Sequence, residues 1–176
     1  MYLLDASAVI TPFHRSKLEA LSLALRKDPN TAQRYLTQWF SSGFTQGKLL
    51  LCAEAKDEVS RGGGHASSLL RSVGGTSHIV HHDSGSLELL PHVHEFVMEH
   101  FEDQHARAFL GPKVADPHLV AIAKACGYCI VTEESHAMRD AESGRMTGPV
   151  KLPYVAFAFG VRCMPLMAAL SHHPNW

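Results

Sequence analysis

Three apolar runs in this chain lead into carboxylates. Tyr2-Leu3-Leu4 meets Asp5, and Cys129-Ile130-Val131 meets Thr132-Glu133-Glu134. Leu49-Leu50-Leu51-Cys52 runs into a segment carrying Glu54, Asp57 and Glu58. A further acid, Asp116, opens the apolar stretch DPHLVAIAKAC, which leads into Cys129-Ile130-Val131. Four acidic stations that meet in space would give an oxygen-rich site of the kind hard cations such as Mg²⁺ and Mn²⁺ prefer. Each station also has a plainer reading. Asp116 before Pro117 has the form of a helix N-cap with proline at the first helical position. Asp5 could cap a helix beginning near Ser7. Glu54 and Glu58, four apart, fit a solvated helix face, and Glu133 and Glu134 fit an exposed turn. Only joint placement separates the two readings.

The elements around these acids supply that placement. The runs YLL, KLLLC (48–52) and YCIVT (128–132), with HIVHH (78–82) as a weaker fourth, lack alternation, as strands covered on both faces do. Helical patterns lie between them. Asp28-Pro29-Asn30 precedes a helix with Tyr35, Leu36, Trp39 and Phe40 on one face. AEAKDEVSR (53–61) predicts a short helix stopped by Gly62-Gly63-Gly64. SLELLPHVHEFVMEHF (86–101) predicts a helix with a kink or restart at Pro91. DPHLVAIAKAC (116–126) places Leu119, Ile122, Ala123 and Cys126 at helical spacing, and Gly127 stops it. The Gly/Ser-rich stretches 61–77 and 139–150 read as loops. Strand alternating with helix predicts a three-layer α/β/α domain around a mainly parallel sheet. Ligands of such sheets bind beyond the carboxyl ends of the strands, where all four acidic stations fall.

The 176 residues suffice for one domain with a sizeable core; 45% are hydrophobic and 19% charged. A formal net charge of −1 argues against a nucleic-acid binder driven by charge alone, though not against a nuclease whose positive charge is a bound metal. The N-terminus has no basic region, and Asp5 interrupts its apolar run, so neither a signal peptide nor a membrane span is expected. Four cysteines without a secretion signal read as reduced thiols of a cytoplasmic protein.

The ordered acidic motifs resemble those of PIN-domain ribonucleases, including the VapC-type toxins. YLLDASAVI resembles the family's opening strand, with its Asp-x-Ser. CAEAKDEVS resembles the second motif. ADPHLVAIAKACGYCIVTEES resembles the third and fourth, and VKLPYVAFAFGV (150–161) the final strand and helix. The nearest likeness is to a PIN-like branch with Thr132-Glu133-Glu134 and Lys151-Leu152-Pro153 late in the chain. The resemblance implies a single PIN-like domain over 1–176, with a helical insertion around 61–114 relative to compact members. It implies metal-binding, catalytic acids at Asp5, Glu58, Asp116 and Glu134, supported by the hydroxyls of Ser7 and Thr132. It further implies Mg²⁺ or Mn²⁺ as cofactor, RNA as substrate, and the role of a toxin with an antitoxin protein as partner; a homodimer fits it too. The fourth acid is usually aspartate in this family, so Glu134 departs from the pattern, and Glu54 and Asp57 compete with Glu58. Phosphodiester hydrolysis is the chemistry such a cluster suits.

Rival chemistries are weaker. Cys126-Gly127-Tyr128-Cys129 has the spacing of a redox motif, but such motifs follow a strand and open a helix, and here the order is reversed. Both thiols are expected to be reduced and mostly buried. His78, His81, His82, His92, His94, His100 and His105 show no zinc-ligand spacing. A catalytically silent PIN-like RNA-binding or scaffold module is the main alternative, and a thiol oxidoreductase the lesser one.

Overall fold

The computed structural model describes residues 1–135 and 145–174. Five strands form one parallel sheet in the order β3-β2-β1-β4-β5: β1 Tyr2–Leu4, β2 Leu49–Cys52, β3 Ile79–Val80, β4 Cys129–Val131 and β5 Cys163–Met164. The three central strands are buried at every residue, because helices cover both faces of the sheet. The architecture is the three-layer α/β/α expected. One helical layer packs α6 (Ser84–His100) on α8 (Asp116–Cys126) and α8 on α9 (Leu152–Ala158). The other joins α2 (Arg15–Leu25), α3 (Pro29–Thr45) and α5 (Gly64–Val73). The short α1 (Ala6–Ile10) follows β1, and α4 (Ala53–Gly62) follows β2, so both begin at the carboxyl edge of the sheet. Helices α7 (Asp103–Phe109) and α10 (Leu166–His172) complete the set among the described residues.

Several local expectations hold. Asp28 caps α3, its Oδ1 accepting the Thr31 N–H at 3.0 Å. Gly127, with φ of +68°, ends α8 in the left-handed conformation. Others are corrected. The stretch 61–77 is not a loop: Gly63 and Gly64, both at φ +65°, break the chain between two helices, and α5 then buries Ala66, Leu69 and Leu70 at helical spacing. Its Gly/Ser content hides that spacing. Pro91 neither restarts nor divides α6, which runs through it with the proline facing solvent. The order of elements at 150–161 also differs, since α9 comes first and the last strand, β5, follows it. Of the loop expected over 139–150, residues 139–144 lie outside the described residues, and 145–150 carry only an isolated bridge from Met146 to Phe101. The stretch 61–114, expected to be helical, contributes an edge strand, β3, as well as helices.

Before β3 the core accepts a histidine. His78 is 2% exposed, its ring lies 5.2 Å from that of Phe44, and its Nδ1 has no hydrogen-bond partner among the described residues. Burial, then the nearby charge of Lys56, holds its pKa below the usual histidine value. A depressed folded pKa means that the stability tied to neutral His78 is present above the unfolded value and is lost as the pH falls. His78→Phe is therefore expected to raise the melting temperature more near about pH 5 than near about pH 8. Thermal denaturation of both proteins at the two pH values checks this, and an equal shift at both would refute it.

Candidate active site

Asp5 follows β1 directly, and its backbone N–H donates to the Val131 carbonyl at 2.9 Å, fixing it beside the end of β4. The residue is 5% exposed. Thr132 Oγ1 donates to Asp5 Oδ2 at 2.7 Å, and Ser7 Oγ donates to the same oxygen. Backbone N–H groups hold both hydroxyls in turn: Glu133 donates to Ser7 Oγ at 3.0 Å and Glu134 to Thr132 Oγ1 at 3.1 Å. Ser7 and Thr132 thus both bind the Asp5 carboxylate through one oxygen. Asp5 sits at the N-cap position of α1 but makes no side-chain capping bond, so capping does not explain it. Burial raises its pKa, the Ser7 and Thr132 hydrogen bonds oppose that, and the Glu134 charge adds to it.

Thr132 is fully buried, so its hydroxyl is needed twice, as donor to Asp5 and as acceptor from Glu134. Thr132→Val keeps the shape and leaves both partners short of a bond. An unmet buried hydrogen bond costs about 1–3 kcal/mol, which for a chain of this size lowers the melting temperature by about 2–10 °C. A calorimetric scan checks this; an unchanged melting temperature would show that the clamp carries no strength.

Asp116 is the first residue of α8, and Ala115 takes the N-cap position without a side-chain bond. The capping reading therefore fails for Asp116. Its carboxylate makes no hydrogen bond or ion pair among the described residues. Burial pushes its pKa up to about 8, and the charges of Asp5, Glu134 and Glu58 add to the rise. The other three predicted acids are thus near enough for their charges to act on Asp116.

The two glutamates are already engaged. Glu58 Oε1 accepts the Ala115 N–H at 2.9 Å, tying α4 to the start of α8, and burial raises its pKa. Glu134 Oε2 accepts the Leu152 N–H at 2.8 Å, and Oε1 lies 3.3 Å from Lys151 Nζ. Glu133 Oε1 likewise accepts the Leu166 N–H at 3.0 Å. Three glutamates thus each meet a backbone N–H at a helix start, where partial positive charge favours an anion. Of the four acids, Asp116 alone accepts no hydrogen bond among the described residues.

Glu54 does not join the quartet. It turns toward His118, whose Nδ1 lies 3.7 Å from Glu54 Oε1 and 2.8 Å from His82 Nε2. His82 Nδ1 is 3.1 Å from Ser86 Oγ. This histidine pair was missed by sequence reading, because His82 and His118 are distant in sequence and only the packing of α8 beside the start of α6 joins them. The other histidines of 78–105 scatter: His92 lies beside Glu95, His105 beside Glu102, and His100 bonds the Phe96 carbonyl.

The cysteines carry no sign of redox activation. Cys129 is buried in β4 and burial raises its thiol pKa, while Cys126 is half-buried at the end of α8. A redox thiol needs the opposite shift.

Among the described residues, no three His, Cys, Asp or Glu side chains form a ready-made metal cage. Mg²⁺ seldom needs one, since it is commonly held by one or two carboxylates with waters and substrate phosphate. The all-oxygen donor set and the unpartnered, partly buried Asp116 beside buried Asp5 fit such an ion.

The fold is a three-layer α/β protein with acidic side chains gathered at the carboxyl edge of its parallel sheet. Residues 24–175 match the family profile described as "Domain of unknown function (DUF4411)", and the chain belongs to that family. Glu58, Asp116 and Glu134 lie inside the matched range, and Asp5 precedes it. No curated protein and no solved structure matches the chain. No helix among the described residues is long and apolar enough to cross a membrane.

Proposed function

We propose that the protein is a metal-dependent, PIN-like endoribonuclease, acting in the cytoplasm as a toxin held in check by an antitoxin protein. The observation that carries this reading is Asp116, without a hydrogen-bond partner among the described residues and with its pKa raised to about 8 beside three other acids. A protein gains nothing structural from such a group, and four carboxylates drawn together repel one another until a cation joins them. Asp5 and Asp116 are the direct ligands in this reading. Glu58 and Glu134 hold the starts of α8 and α9 in place and add negative charge. Ser7 and Thr132 orient Asp5 through one oxygen. A Mg²⁺ or Mn²⁺ ion held there by Asp5 and Asp116 would lower the pKa of water and neutralise the scissile phosphate. Because Glu134 keeps the longer side chain and binds Leu152, Glu134→Gln is expected to weaken cleavage less than a change at either aspartate.

The test is incubation of RNA with the protein and Mg²⁺ or Mn²⁺, beside a chelator control, with analysis of the product ends. The reading expects cleavage only with metal, leaving 5′-phosphate and 3′-hydroxyl ends. Cleavage that persists in chelator would contradict it. The second reading, a silent RNA-binding or scaffold module, draws on Lys151, whose ammonium already gives Glu134 a positive partner. That reading expects RNA binding without Mn²⁺ binding or cleavage.

A further inference from the structure

A cleft of about 520 Å³ lies between α4 and residues 112–113, lined by Glu54, Asp57, Ser60, Arg61, Pro112 and Lys113. Two links bind its walls together. Glu58 Oε1 accepts the Ala115 N–H, and Arg61 Nη2 donates to the Lys113 carbonyl at 3.3 Å. The first link is also part of the acidic site, so the cleft opens beside it. The Arg61 charge is felt at the Glu58 carboxylate, which shows how near the two are.

We infer that this cleft is the subsite for the nucleotide next to the scissile phosphodiester of single-stranded RNA, with Arg61 and Lys113 holding its phosphate. This rests on the ribonuclease reading and adds the form of the substrate and where it lies. The volume is that of a small-ligand pocket. It suits a nucleotide of an unpaired strand and is too small for a duplex. Arg61 is held at the rim by its bonds to the Asp57 and Lys113 carbonyls, so its charge is fixed before any ligand arrives. Lys113 is exposed and its ammonium has no partner among the described residues. The carboxylates of Glu54 and Asp57 on the same walls disfavour a bare polyphosphate. They suit a nucleotide, whose base edge brings N–H donors to accept.

The test is binding of a labelled, unstructured oligouridylate to the metal-free protein in chelator, followed by anisotropy against salt concentration. Each phosphate contact on a single strand contributes about 0.7 to the slope of log affinity against log salt. The double variant Arg61→Gln with Lys113→Gln removes both cations from that one phosphate and is expected to lower the slope by about 0.7. Lys113→Gln alone is expected to lower it by part of that amount and leaves the Arg61 bond to the Lys113 carbonyl in place, so it serves even if the double variant folds poorly. An unchanged slope in Lys113→Gln, or no binding by the wild type, overturns the inference. The two readings fail separately. Salt-sensitive binding with the expected loss, but no cleavage with Mn²⁺, would end the ribonuclease reading and leave the cleft. Cleavage with Mn²⁺ and an unchanged slope would do the reverse.

Discussion

Asp116→Asn is expected to abolish RNA cleavage and, in metal-free buffer, to make the protein more stable than wild type at neutral and alkaline pH. The second half follows from the raised pKa. Unfolded aspartate titrates at about 3.9, whereas in the folded protein Asp116 titrates at about 8. Between those values the folded state holds a proton that the unfolded state has lost, so stability falls as the pH rises. Asparagine has nothing to titrate and removes that penalty. Because Asp116 shares its field with three other acids, the net gain is put at about 2 kcal/mol, or about 4–8 °C in melting temperature near pH 8, against little change near pH 4. A residue kept for stability would behave the other way. Melting curves in chelator across that pH range decide it; a variant less stable than wild type at every pH would contradict the account.

Asp5→Asn is expected to lower the cleavage rate by about 10³-fold or more, which corresponds to several kcal/mol of lost charge stabilisation. The shape is kept, and the amide oxygen can still accept from Ser7 and Thr132, so the fold should persist. The change also removes one of the charges that raise the Asp116 pKa. The loss of stability with rising pH in the metal-free protein should therefore be smaller and level off at a lower pH. Single-turnover cleavage with Mn²⁺, paired with circular dichroism, reads both effects. Full activity in a folded Asp5→Asn protein would remove the quartet from the chemistry.

The sheet and the acids at its edge were legible because buried parallel strands need uninterrupted apolar runs; Asp5 and Glu134 follow such runs, and Glu58 and Asp116 lie in helices joined to them. YLL, LLLC and CIV each announce a strand covered on both faces. What sequence could not supply was the orientation of each carboxylate. Glu58 and Glu134 look equivalent to Asp116 in a string of letters, yet each accepts a backbone N–H across the fold, from Ala115 and Leu152. Those partners depend on tertiary packing. Glu54 turns from the quartet for the same kind of reason, drawn to His118. Helix α5 stayed hidden because local glycine content was weighed above the spacing of Ala66, Leu69 and Leu70. The short β5 and α10 carry too few residues to show a period.

The central claim, that the acidic quartet exists to hold a divalent cation, is tested most directly by Mn²⁺ binding without RNA. Electron paramagnetic resonance counts the free ion as protein is added. The account predicts saturable Mn²⁺ binding by the wild type, competed by Mg²⁺ and lost in Asp116→Asn while that variant remains folded. No binding by the wild type, or equal binding by folded Asp116→Asn, would contradict it.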